Sequence, residues 1–154
     1  DTVIRRHMAA LGDHQYAGLM LLIVDADHFK RINDRLGHPT GDKALKAIAG
    51  ALKRSMRGSD AVGRLGGEEF AIFFRDAADD EASWALARIA QQMRREPIGR
   101  VNGRIISFSA GLSRWSGGPV EEALAAADAA LYDAKQAGRD RVCRAAAPDA
   151  VPCP

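Results

Sequence analysis

Residues 61–74 read AVGRLGGEEFAIFF, a short apolar run, two glycines, two glutamates and a second apolar run. Ala61–Leu65 and Phe70–Phe74 carry the branched and aromatic residues that favour strands. The glycines between them supply the backbone freedom of a tight turn, so the spacing predicts a β-hairpin. A hairpin alone is marginal in water and needs a sheet to join. Upstream, LMLLIVD over Leu19–Asp25 is a continuous apolar run of the kind buried on both faces of a sheet, and it ends on an aspartate. Downstream, Arg104–Leu112 places Ile106, Phe108 and Ala110 on one face of a further strand.

Helical periodicity separates these strands. From Thr40 onward Leu45, Ile48, Ala49, Leu52 and Met56 recur at helical spacing until Gly58, and Trp84, Ala85, Ile89 and Met93 mark a second amphipathic helix ending before Pro97. Thr2–Leu11 reads as an N-terminal helix, and alanine-rich Glu121–Gln136, closed by Gly138, as the last one. The residues between Asp25 and Thr40 read as a polar loop, Arg141–Val142 as a short edge strand, and the tail AAAPDAVPCP as disordered. Strands that occur singly and as a hairpin among helices argue for an α/β sandwich, a mixed sheet with helices packed on it. One domain is expected over 1–143, with the disordered tail over 144–154.

With 154 residues, 47% hydrophobic and 27% charged, the chain suits a single globular domain with a real core. The formal charge is +2 and Lys and Arg are spread along the chain, so there is no basic stripe to neutralise a nucleic-acid polymer. The run Met20–Val24 ends at Asp25, far short of a membrane span, and no signal peptide precedes it, which sets the expectation of a cytoplasmic domain without membrane contact. Cys143 and Cys153 lack CxxC spacing or a His partner and read as free thiols. The chain starts at Asp1 rather than Met, so a longer parent protein is expected.

The acids point to chemistry. A buried strand delivers Asp25 to a sheet edge with little freedom to move, and the hairpin turn delivers Glu68 and Glu69 in the same way. If the two are neighbours, three carboxylates converge, and they repel one another unless a cation sits among them. Hard oxygen ligands of this kind select magnesium, which completes its shell with water and substrate phosphates. Acids in a turn that simply face water are the competing reading. An EF-hand does not fit DADHF, because Phe29 stands where an oxygen ligand is needed. Lys30 can set an ammonium against phosphates or remain solvated. Asp42 either caps the helix that follows or, with Asn33, reads a guanine edge, whose two donors one carboxylate can accept.

Four segments then carry a resemblance: DADHFKRINDRLGHPTGD (residues 25–42), RGSDAVGRLGGEEF (57–70), SFSAG (107–111) and ADAALYDAKQAGRDRV (127–142). In order and approximate spacing they resemble the diguanylate cyclases with GGDEF domains, here in a GGEEF form. The resemblance covers most of the chain from Leu19 to Val142 and implies the palm-type cyclase fold, a central mixed, mainly antiparallel sheet of about five strands flanked by helices. It implies synthesis of cyclic di-GMP from two GTP by a head-to-head homodimer, each subunit holding one GTP.

Carried over residue by residue, Asp25, the Ala26 carbonyl and Glu68 resemble the ligands of magnesium, with manganese as an alternative. Glu69 either joins them or helps deprotonate the attacking 3′-hydroxyl. Asn33 and Asp42 match the guanine readers, Lys30, Lys135 and Arg139 the phosphate contacts, Lys30 also serving the chemistry. Phe29, His38, Gly66 and Gly67 line the substrate, the glycines because side chains there would block the base and ribose. Arg57 and Asp60 form RxxD five residues before GGEEF, where the family places an inhibitory product site, and Arg88 matches its second arginine. The family's N-terminal D-x-LTG-LxNRR-like stretch is absent, and the family usually carries sensory or receiver domains upstream. Two other classes compete: a non-catalytic cyclase-like sensor of GTP or cyclic di-GMP, which the intact GGEEF disfavours, and a primer-dependent palm transferase, which the near-neutral charge disfavours.

Overall fold

The computed structural model describes residues 19–145 apart from 59, 75–83, 86, 89, 92–93, 96–99, 102–103 and 116–118. Along them run β1 (Leu19–Ala26), α1 (Phe29–Leu36), α2 (His38–Ser55), β2 (Ala61–Gly66), β3 (Glu69–Phe74), β4 (Arg100–Val101), β5 (Arg104–Ile105), β6 (Phe108–Trp115), α3 (Val120–Gln136) and β7 (Val142–Arg144). Five strands form one sheet in the order β2-β3-β1-β6-β7, and β4 and β5 form a separate small ladder. β1 runs antiparallel to both of its neighbours, β2 is antiparallel to β3, and β6 and β7 are parallel across α3. The mixed, mainly antiparallel sheet of the sequence reading is therefore the observed one.

Alternation along the strands assigns the two faces. Val24, Phe70, Ile72, Phe74, Phe108, Ala110 and Leu112 pack with Leu45, Ile48 and Leu52 of α2 on one face. Ala71 and Phe73 pack with Ala123, Ala127 and Leu131 of α3 on the other. A strand covered on both sides has to be apolar throughout, which is why FAIFF of β3 does not alternate. At Gly111 a Cβ would collide with the α3 backbone at Ala127 and Leu131, so the glycine lets α3 lie against β6.

Several readings change. The polar loop after Asp25 contains α1, whose Ile32 is buried against Ala44 and Ile106 while its other side faces solvent; its length and charge hid it. α2 begins at His38 with Pro39 in its first turn and Gly37 as N-cap, so Asp42 lies inside the helix and is not its cap. The strand foreseen over Arg104–Leu112 is split: β5 pairs with β4, whereas β6 joins the main sheet after Ser107, whose carbonyl accepts the Asp27 amide at 2.9 Å. Residues 84, 85, 87, 88, 90, 91, 94 and 95 are helical as foreseen, but Trp84 is 68% exposed and Ala85 takes the core position. Cys143 is disulfide-bonded rather than a free thiol. Sequence spacing alone did not signal a pair, and the chain's other cysteine, Cys153, falls outside the described residues, as do Thr2–Leu11 and the tail beyond Ala145. The Ala145 amide still donates to the Leu112 carbonyl at 2.7 Å. Among the described residues no helix is long and apolar enough to cross a membrane.

Candidate active site

Asp25 is the penultimate residue of β1 and Glu69 opens β3, and the two are register partners in the β1–β3 ladder. Opposed Cα atoms in such a ladder lie about 4.5–5.5 Å apart, so two carboxylates share one end of the sheet. Glu68 precedes them in the turn, half-buried, and its carbonyl accepts the Ala26 amide at 3.4 Å. From α3, Lys135 Nζ donates to Asp25 Oδ2. Asp25 is 5% exposed, and its Oδ1 is buried with no hydrogen-bond partner.

The crowding shows in the acids. Burial and then the charges of Asp25 and Asp128 push the Glu69 pKa up, Lys135 pulls it down, and Glu68 adds a smaller push. Desolvation raises Asp128, on α3, against the same pull of Lys135. Among the described residues no three Asp, Glu, His or Cys side chains form a ready-made metal cage. A cation that takes one or two carboxylates and fills its shell with water and phosphate needs none, and the unpaired Asp25 Oδ1 beside Glu69 is donor chemistry that fits it.

The turn holding the acids leaves room above itself. Gly66 and Gly67 have φ 154° and 49°, and a Cβ on either would meet nothing within 4 Å. Arg64 fixes the turn from below its tip, donating from Nε and Nη2 to the Gly67 carbonyl at 3.0 and 2.6 Å. On the helical side, Phe29 opens α1, Lys30 is exposed beside it, and exposed His38 opens α2. Asn33 Oδ1 is buried without a partner, and the nearest atom to a Cβ placed on Gly41 is that same oxygen, so Asn33 lies against the helix turn that carries Asp42. Asp42 also lines a groove of ≈ 630 Å³ whose walls include Leu45, Lys46, Val62 and Phe70. Arg139, half-buried after α3, has φ 65°.

Away from the acids, the Asp60 side chain is 2% exposed and accepts from the Arg57 amide at 2.9 Å and Arg57 Nε at 3.4 Å. Arg57 and Arg88 line one cleft of ≈ 840 Å³ with Trp84, Gln91 and Arg94. The sequence reading missed Asp27, Asp128, Arg64, Trp84 and Arg94. Asp27 and Asp128 stood within the quoted motifs, and Arg64 two residues before GGEEF; Trp84 had been placed on the apolar face of its helix.

Against known proteins, residues 2–141 match the family described as "Diguanylate cyclase, GGDEF domain". Over 143 residues the chain is 41% identical to diguanylate cyclase DgcP of Pseudomonas aeruginosa, covering 91% of this chain and 20% of that protein. Over 144 residues it is 38% identical to diguanylate cyclase DosC of Escherichia coli, covering 92% and 31%. The chain thus spans less than a third of these relatives. The GGDEF domain of DgcB from Caulobacter crescentus, solved in complex with c-di-GMP, superposes with a TM-score of 0.80 at 30% identity, over 90% of this chain and 84% of that one. The active GGEEF domain of a diguanylate cyclase from Vibrio cholerae gives 0.77 at 28% identity, over 95% and 91%. With a family match across nearly the whole fold and the GGEEF turn set against Asp25, this chain belongs to the GGDEF-domain family of diguanylate cyclases.

Proposed function

We propose that the domain joins two GTP molecules into cyclic di-GMP with release of two pyrophosphates, as a head-to-head homodimer with one GTP per subunit. The observation that carries this reading is Asp25, buried, paired on one oxygen with Lys135 and unpaired on the other, directly opposite Glu69. Asp25, Glu68, Glu69 and the Ala26 carbonyl would hold magnesium, or manganese, which when bound polarises the α-phosphate and neutralises charge on the departing pyrophosphate. Asn33 and Asp42 accept and donate along the guanine edge, and the groove beside Asp42 offers Leu45 and Phe70 as apolar walls for the base. Lys30, Lys135 and Arg139 bind the phosphates, and open space above Gly66 and Gly67 admits the ribose. In each half-reaction the 3′-oxygen of one GTP attacks the α-phosphorus of the other, losing its proton as pyrophosphate leaves. Where Glu69 does not ligate the cation, it stands beside Asp25 to take that proton.

Arg57, Asp60 and Arg88 form the receptor for product, a separate cleft from which cyclic di-GMP slows the enzyme. GTP is a cytoplasmic substrate, so the domain is assigned to the cytoplasm, downstream of a sensory or receiver domain that brings two copies together. Cys143 packs with Ala130 and Ala134. The test is incubation with GTP and magnesium over a series of protein concentrations, with chromatography of the products. Cyclic di-GMP should form at a rate rising more steeply than linearly with protein, and Glu68→Ala should abolish it while the variant stays folded. Binding of GTP or cyclic di-GMP without turnover at any concentration would establish the sensor reading instead.

A further inference from the structure

Asp27 follows the Asp25–Ala26 pair and is 4% exposed. Its carboxylate accepts Ser107 Oγ at 2.7 Å, Ser109 Oγ at 2.5 Å and the Asp140 amide at 3.0 Å. Its own amide donates to the Ser107 carbonyl. These donors to the carboxylate are all neutral, and burying a charge on such terms costs stability that an uncharged residue would not. That cost argues for a task beyond packing.

The third donor identifies the task. Arg139 and Asp140 both lie in the left-handed region, at φ 65° and 47°, a conformation that side-chain-bearing residues keep only where their surroundings hold them. The Arg139 amide is held by the Ala134 carbonyl at 2.9 Å, and the Asp140 amide by Asp27. We infer that Asp27 is a positioning residue for the phosphate arm: it straps the loop bearing Arg139 to the strand bearing Asp25, and so sets the span from guanidinium to metal-binding carboxylate. Asp27 itself touches neither nucleotide nor cation. The inference rests on the GTP reading above and deepens it, because the guanine readers Asn33 and Asp42 stand on α1 and α2, outside the strap. Asp27 therefore governs how tightly the triphosphate is held and not how the base is read.

Calorimetry with magnesium tests this, using GMP and the α,β-methylene analogue of GTP, which cannot be cleaved at the reacting bond. Asp27→Asn should weaken the analogue about tenfold, the loss of one charge-assisted bond, and leave GMP within about twofold. In an Arg139→Ala background the same substitution should cost the analogue nothing further, because the arm it positions is gone. Equal weakening of both ligands means a merely structural residue and overturns the inference, as does no change in either. Ser109→Ala removes one hydroxyl donor and keeps the carboxylate. If Asp27→Asn does not fold, it carries the test, with an expected loss of about threefold for the analogue alone. An equal or absent change in Ser109→Ala overturns the inference too. An unsubstituted protein that binds neither ligand overturns the GTP reading first, and is distinguished by appearing before any substitution is made.

Discussion

Glu69 carries the pH behaviour of the site. Its folded-state pKa lies above the usual carboxylate value because burial and neighbouring acids disfavour its charge. A carboxylate raised on folding leaves the native state binding more protons than the unfolded chain, so stability falls as pH climbs through that raised value. Below the ordinary value of 4.5 the penalty is absent, and above the raised value it is complete. Glu69→Gln should therefore melt higher than the parent at pH 8 in metal-free buffer, and the gap should close towards pH 4; a constant gap would mean that packing, not charge, is responsible. A second residue-scale expectation concerns Gly41, buried in α2 beside Asn33. A Cβ there falls on Asn33 Oδ1 and crowds Asn33 Cγ at 3.0 Å, so that side chain must turn away, and Phe29 Cε2, at 3.3 Å, must give by a few tenths of an ångström. Gly41→Ala gains helix propensity of about 1 kcal/mol, which offsets the strain, while Asn33 is turned out of place. The melting point should stay within a few degrees as GTP affinity drops about tenfold and ATP affinity does not, since a buried guanine donor loses its acceptor. Parallel losses for both nucleotides would remove Asn33 from base reading.

At the scale of elements, the hairpin is held by more than its glycines. Arg64 precedes a register shift in β2 and closes back on the Gly67 carbonyl with two donors, so the tip that carries Glu68 is fixed from within its own strand. Arg64 is exposed, and Arg64→Ala should leave the melting point within about 2 °C while slowing turnover at least tenfold. An unchanged rate would mean that the β1 ladder alone orders the turn. The same hairpin was legible in the sequence because two apolar runs about Gly-Gly admit few other structures, and LMLLIVD was legible because a continuous apolar run suits a central strand, the place β1 takes between β3 and β6. α1 was not, because a short helix anchored by Ile32 and Phe29 shows too little periodicity to separate from a charged loop. Trp84 was misplaced because a large apolar side chain at helical spacing looks like core until the neighbouring Ala85 is seen to fill that role. Asp27 escaped because its partners lie just before β6, on β6 and after α3, and no local pattern records contacts across eighty residues and more of sequence.

At the scale of the whole molecule, the cleft lined by Arg57 and Arg88 and the acid cluster are joined by a short run of contacts. Arg94 lines the cleft with Arg57 and Arg88, and its Nη2 pairs with Asp140 Oδ2 at 2.7 Å; the Asp140 amide in turn donates to Asp27, two residues from Asp25. An exposed ion pair carries at most about 1 kcal/mol, so this run alone supports a modest coupling, and strong feedback requires product to change how two copies meet. Trp84 makes binding visible. It is 68% exposed within the cleft, a face on which a guanine can stack between arginines, so cyclic di-GMP should quench its fluorescence. The variant to make is Arg88→Ala, because Arg88 is exposed, whereas the buried Asp60 side chain organises the Arg57 loop and its removal would disturb the fold. Arg88→Ala should lose the quench and the inhibition together and keep the uninhibited rate. Coupling between two sites is reciprocal in binding free energy, so the factor by which cyclic di-GMP weakens the GTP analogue must equal the factor by which the analogue weakens cyclic di-GMP. Measuring both factors in the parent, by Trp84 quenching and by calorimetry, decides the matter: equal factors above one, with no weakening of the analogue by cyclic di-GMP in Arg88→Ala, place feedback in this cleft. Inhibition that survives in Arg88→Ala would move the product to the nucleotide site, where Asn33 and Asp42 would hold one of its guanines in direct competition with GTP.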